Sequence, residues 1–272
     1  MPLGHGRIRK GLIDIITHPQ TFDTGPAALL DVATKLTGTA VATWRPTVGE
    51  HSIVRPYVAR ERLEPEEPIP DPVRSRREAQ KRATKMVRRW CVHARLDRLV
   101  TLTIAEETDL EDRERVRRLV ARFFSLLRGR YSGLHYVYVL ELHPGGHGYH
   151  VHAAVNQWLD PVHVRACWTH GFIDVRRIKT KVRGSLRDQS RLAGRYISKY
   201  ATKSEDEGRL AGRHRYERSQ GEAIPEIRME ADSWQAVEAW LRSKLRSVVV
   251  WSWSSVDQGE DWHGPPTLVL WE

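Results

Sequence analysis

The sequence predicts an α+β fold with a mainly antiparallel sheet. Two observations carry that expectation. Between residues 99 and 203, segments of alternating polarity and segments of helical spacing follow in the order β-α-β-β-α-β-α. Two of the strands are joined by a Pro-Gly-Gly turn, as an antiparallel hairpin requires. The 272 residues suffice for one good-sized core with an accessory segment or two.

Taken in order, residues 1–50 alternate short apolar stretches with Gly, Pro and Thr, and 26–35 reads as a helix with no evident chemistry. Residues 62–73 (RLEPEEPIPDPV) are Pro-rich and acidic, the composition of a linker. A basic helix follows over 74–90. Residues 99–104 (LVTLTI) are β-branched with threonines at period two, hence a strand. Val116, Leu119, Val120, Phe123, Phe124 and Leu127 recur at helical spacing, with Asp109 or Thr108 as the expected cap. Residues 134–143 and 148–156 read as strands around the turn at 144–147. Asp160-Pro161 opens a helix that Gly171 is expected to close. A strand over 172–178 and a helix over 186–203 complete the series, the helix running through Gly194. Residues 205–230 are polar and read as a loop. Residues 233–248 place Trp234, Val237, Trp240, Leu241, Leu245 and Val248 on one helical face, and 249–253 reads as a last strand.

The net charge is +10, and its distribution is uneven. Residues 74–98 carry +8 and residues 176–218 carry +9, so the rest of the chain sums to −7. Two basic blocks suit a phosphate backbone, with salt-sensitive affinity. The alternative is a pair of solvated helix faces. No apolar run approaches the ~20 residues of a membrane span. The N-terminus has no long apolar stretch or small-residue cleavage site, which predicts a soluble, cytoplasmic protein. Cys91 and Cys167 are too few for a disulfide framework or a Cys-rich zinc module.

His150-Val151-His152 sits on a predicted strand, so both imidazoles face one side. If the turn centres on Gly145-Gly146, Glu141 lies opposite His150, roughly 5 Å away between side-chain roots. One carboxylate and two imidazoles then converge on one sheet face. A mixed N/O set with open positions suits Mg2+ or Mn2+, and less well Zn2+. A hydrogen-bonded polar pair is the structural alternative. His143 shares the parity of Glu141 and is a reserve ligand, whereas His147 falls in the turn.

Tyr196 and Tyr200 stand four apart on a predicted helix and share a face. Lys199 neighbours Tyr196. A phenol is a poor nucleophile at neutral pH, with a pKa near 10. A neighbouring ammonium or metal favours the phenolate or stabilises charge on a phosphate. Two tyrosines packing the helix on the sheet is the plainer reading of this motif alone.

The order LVTLTI, His-apolar-His, then Tyr-Ile-Ser-Lys on a helix resembles the HUH endonucleases, and among them the rolling-circle replication initiators of small plasmids and phages. The resemblance covers roughly 76–205. It implies a five-stranded antiparallel sheet flanked by helices, of RRM or ferredoxin-like type. It implies that Tyr196 attacks a scissile phosphate beside a divalent ion held by His150, His152 and Glu141. Lys199 would stabilise charge, and Tyr200 would make this a two-tyrosine variant. The tyrosines follow the histidine motif, whereas conjugative relaxases place the tyrosine upstream. No Gly-x-x-x-x-Gly-Lys-Ser/Thr occurs, so unwinding would fall to a host helicase, with a host polymerase extending the 3′ end. Single-stranded origin DNA is the expected partner, with Arg76, Arg77, Lys81, Arg195 and Lys203 as candidate contacts. The domain reading is an extension with its linker over 1–73, a nuclease domain over 74–205, and a helix–strand segment over 206–272 that could pack on it. Rival readings are a transposase with the same chemistry, a non-catalytic basic DNA-binding protein, and a zinc-dependent hydrolase using His150 and His152.

Overall fold

The computed structural model describes residues 39–55, 71–104, 112–142, 148–179, 184–203, 214–261 and 265–272. The candidate helix at 26–35, most of the Pro-rich linker, His143 and His147 lie outside the described residues. The chain forms two compact units, one of residues 64–225 and one of residues 1–63 with 226–272.

In the second of these, β1 (Ala40–Arg45), β2 (Glu50–Val54), β8 (Ile227–Ala231), β9 (Trp251–Ser254) and β10 (Thr267–Trp271) form an antiparallel sheet of order β8-β1-β2-β10-β9. Helix α5 (Trp234–Ser243) covers one face, burying Trp234, Val237 and Leu241 against Ala40, Ala42, Ile53, Leu268 and Leu270. The strand expected over 249–253 is β9, and it belongs to this sheet.

The unit of residues 64–225 holds α1 (Pro72–His93), β3 (Arg98–Leu102), α2 (Arg113–Arg130), β4 (Tyr136–Leu142), β5 (Tyr149–Val155), α3 (Pro161–Cys167), β6 (Ile173–Arg177), α4 (Leu186–Lys203) and β7 (Glu217–Arg218). Its sheet is antiparallel throughout, in the order β6-β3-β5-β4-β7. The α+β class and the five-stranded antiparallel sheet are as expected. The fifth strand, however, is the two-residue β7, from a stretch whose polarity reads as loop. It is held by pairing with Val137 and Tyr138 of β4 rather than by its own composition.

Alternation along β4 and β5 assigns the two faces. Tyr138, Leu140, Tyr149, Val151, Ala153 and Val155 pack with Val116, Val120, Phe123 and Phe124 of α2 and Val164 of α3. Val137, Val139 and Ala154 pack with Val87, Trp90 and Cys91 of α1 and Ala193, Ile197 and Ala201 of α4. Each fully buried Leu, Val or Phe contributes on the order of 1.5–3 kcal/mol.

Local chemistry sets the helix ends. Asp71 accepts from the amides of Val73 and Arg74 and caps α1, with Pro72 at the first helical position. Asp112 caps α2 in the same way, accepting from Glu114 and Arg115. It takes the place expected of Asp109 or Thr108, which lie outside the described residues. Asp160 caps α3, which stops at Cys167, before Gly171. There the amide of Trp168 returns to the Val164 carbonyl and its ring buries in the α2 face of the core.

Helices α1 and α4 run antiparallel, with Gln80 reaching the Thr202 carbonyl and Arg88 donating from Nε to Ser198 Oγ at 3.2 Å. Gly194 is what lets them meet. A Cβ there would stand 3.0 Å from Arg88 Cα and 3.3 Å from the Arg88 carbonyl oxygen. Glycine inside α4 is thus a requirement of the helix crossing.

Candidate functional site

The β4–β5 register places Glu141 opposite His150, with paired numbers summing to 291 as the sequence expects. The parity that sends Val137, Val139 and Ala154 towards α4 sends Glu141, His150 and His152 to the same face, at the turn end of the hairpin. At that end α4 lays two phenols over the strands, those of Tyr196 and Tyr200.

The contacts are close. His152 Nε2 lies 2.8 Å from Glu141 Oε2, where an imidazole N–H donates to the carboxylate. The Tyr200 ring lies flat on the His152 ring, with centroids 3.6 Å apart and planes 10° from parallel. The Tyr196 ring meets His152 near edge-on at 6.2 Å. The Tyr200 hydroxyl donates to the Tyr196 hydroxyl at 3.1 Å. Their spacing of four brings the two rings to 5.2 Å. His150 stands one pair further out, its ring centroid 6.4 Å from that of His152. His152 is buried, while Glu141, His150, Tyr196 and Tyr200 are half-buried. Burial pushes the Tyr200 phenol above its ordinary value, and its hydrogen bond to Tyr196 and the Glu141 charge push the same way. Tyr200 is therefore a neutral hydroxyl at physiological pH.

Glu141, His150 and His152 offer one oxygen and two nitrogens, a donor set that suits a divalent ion. Two imidazoles bound to one ion at about 2.1 Å would hold their ring centroids about 5 Å apart. The observed 6.4 Å and the His152–Glu141 hydrogen bond describe rotamers in which these groups bond to one another. Among the described residues, no three His, Cys, Asp or Glu side chains already surround a common point. The chemistry of the set fits an ion, and loading it would exchange that hydrogen bond for metal bonds.

Of the remaining predicted residues, Lys199 is exposed on the turn between the tyrosines, and Arg195 is exposed one turn before it. Lys203 ends α4, and its side chain lies outside the described set. Arg76, Arg77 and Lys81 are exposed on α1, with Lys81 Nζ 2.9 Å from Glu78 Oε1. A residue the sequence reading passes over is Thr101. It is the Cα partner of His152 on β3 and so lies on the same face. The period-two threonines of LVTLTI were the available signal, since strand parity fixes which of them faces the histidines.

Residues 97–205 match the family model of replication-associated protein ORF2/G2P. That span opens at β3, closes just past α4, and contains all six of Glu141, His150, His152, Tyr196, Lys199 and Tyr200. No curated protein and no solved structure matches the chain.

Proposed function

We propose that this chain is an HUH-type replication initiator that nicks single-stranded origin DNA through a tyrosine and later rejoins the strand. The observation that carries the reading is the meeting of Glu141, His152, Tyr196 and Tyr200 within hydrogen-bond or stacking distance. They come from three elements, inside the segment that matches replication-associated proteins.

Tyr196 Oη attacks the scissile phosphorus in line. A Tyr–O–P bond forms, the P–O3′ bond breaks, and the phenolic proton leaves to solvent as the 3′ oxygen takes one up. The products are a 5′-phosphotyrosine and a 3′-OH able to prime synthesis. The number of phosphodiester bonds is conserved, so a second 3′-OH can reverse the step without ATP. The Tyr200 hydroxyl, donating to Tyr196 Oη, stabilises charge that develops there. Tyr200 then serves as the second nucleophile that ends a round. Lys199 sits on the exposed side, where the phosphate's charge is met from solvent. Glu141, His150 and His152 would hold the divalent ion, Mg2+ or Mn2+, whose charge when bound polarises the scissile phosphate. Arg76, Arg77, Lys81, Arg195 and Lys203 on α1 and α4 serve as the track for the strand.

The test is incubation of a 3′-labelled pool of single-stranded oligonucleotides with the protein and Mn2+, followed by a denaturing gel. Label migrating with the protein, lost with EDTA and in Tyr196→Phe/Tyr200→Phe, is the expected result. An adduct that survives the double substitution assigns the nucleophile elsewhere. His150→Ala and His152→Ala should abolish the adduct and spare binding and circular dichroism. Loss of folding instead would mean that the histidines are structural. DNA binding that needs no metal and yields no adduct would favour the non-catalytic reading.

A further inference from the structure

The edge strand β6 lies two strands from the histidines, and an exposed aromatic ring stands just before it. Phe172, just before β6, is 82% exposed. Its backbone is pinned to Thr103, the next residue along β3's line. The Thr103 amide donates to the Phe172 carbonyl at 2.9 Å, and the Phe172 amide donates to Thr103 Oγ1 at 3.1 Å.

Register fixes the direction of this ring. Thr101 pairs with His152 on one side and with Asp174 on the other. His152, Thr101 and Asp174 therefore form one row on the face that bears the site. One step towards the turn end, the same count puts Glu141, His150, Thr103 and Phe172 in the next row. The alternate residues Ile173 and Val175 pack into the opposite core, which agrees with this parity. Two strand spacings separate His150 from Phe172, about 10 Å. That is within reach of a nucleotide adjoining one whose phosphate lies at His150.

The surroundings carry charge of the right sign. Arg176 Nε pairs with Asp174 Oδ2 at 2.6 Å on the same face, and Arg177 and Lys179 are exposed beyond it. An exposed ring on the face of a phosphate-directed site, with Arg176 four residues further along that face, has the composition of a single-strand stacking platform.

We infer that Phe172 is a stacking shelf for an unpaired base of the single-stranded substrate, with Arg176 placed for a phosphate about two nucleotides along the strand. The inference rests on the proposed single-stranded DNA substrate, and it adds a base-contacting residue beyond the catalytic motifs. The shelf accepts any base face, so its contribution is to hold the strand in register rather than to read sequence.

The experiment uses the full chain in EDTA, where no cleavage competes, with fluorescein-labelled dT12 and a 12-mer of abasic residues as probes. Anisotropy titrations compare the wild type with Phe172→Ala, Phe172→Leu and Phe172→Trp. Stacking predicts a loss of about 5–10-fold in dT12 affinity for Phe172→Ala and Phe172→Leu. It also predicts a loss under 2-fold for the abasic strand and near-normal binding of dT12 by Phe172→Trp. Equal losses on the two probes, or rescue by Leu, overturn the shelf. A protein that forms the tyrosine adduct yet keeps its dT12 affinity in Phe172→Ala overturns the shelf alone. A protein that forms no adduct but loses base-dependent affinity keeps the shelf and overturns the nicking reaction. Failure of the wild type to bind dT12 overturns both.

Discussion

Two glycine-to-alanine substitutions should move stability in opposite directions. Glycine inside a helix is less favourable than alanine by about 0.5–1 kcal/mol. Gly129, in α2, has nothing within 4 Å of where a Cβ would stand. Gly129→Ala should therefore stabilise by about that amount. Gly194 gains the same propensity but meets Arg88 Cα at 3.0 Å, the Arg88 carbonyl oxygen at 3.3 Å and Cys91 Cβ at 3.4 Å. Two of those atoms are backbone of a neighbouring helix and can move only if α1 moves. Overpacking of this kind costs about 1–3 kcal/mol. With the propensity gain set against it, Gly194→Ala should destabilise by about 1 kcal/mol. Urea unfolding followed by far-UV circular dichroism gives both values as midpoint shifts at constant slope. The displacement also matters for the site, since α4 carries Tyr196 half a turn beyond Gly194. Equal stabilisation by the two alanines would refute the close helix crossing.

Stability should also fall on mild acidification. Burial holds the His51 imidazole below its ordinary value, outweighing the carboxylate of Glu272 at 2.8 Å, and burial lowers His93 as well. The unfolded chain then binds protons more readily, so stability is complete above about pH 6.5 and falls below it, by up to about 1.4 kcal/mol per pH unit for the buried His51 and by less for the part-exposed His93. Urea midpoints measured from pH 8 to pH 5 check this, and a flat profile counts against it. Thiol labelling should find Cys167 first, because Cys91 is fully buried and its thiol is pushed far up by that burial. Two equally fast thiols in the native protein would contradict the α1–α4 core. Replacing Tyr200 by Phe keeps the ring on His152 and removes the donor to Tyr196, so the adduct should form more slowly, by about tenfold. Tyr196→Phe should abolish the adduct at first cleavage, as a labelled-oligonucleotide gel would read.

The parts of the fold legible in the sequence are those specified locally. Helix α4 runs over 186–203, as its spacing predicts, and the hairpin register is the one that a turn centred on Gly145-Gly146 predicts. Strands β1 and β2 were not legible. Their residues read as short apolar stretches; they pair with one another, but their outer partners β8 and β10 lie some 180–220 positions away in the sequence. No local periodicity encodes a pairing at that separation. The brevity of β7 has the same cause. Its two residues are strand because β4 has a free edge beside them.

Within the site, the sequence specified which residues share a face but not how their side chains pair. Backbone register sets Glu141 opposite His150, yet the carboxylate reaches diagonally to His152, two residues along the strand. The helix spacing presents Tyr196 and Tyr200 as equivalents, and packing removes that equivalence. Tyr200 is laid over the buried His152 ring, and burial keeps its proton in place. Tyr196 meets the same histidine only at its edge and accepts a hydrogen bond from Tyr200. A phenol that receives a hydrogen bond is better able to carry developing negative charge than one that donates it. On the proposed mechanism, the asymmetry that favours Tyr196 as first nucleophile arises from the strand beneath the helix. A strand that positioned His152 one pair further out would leave the two tyrosines alike.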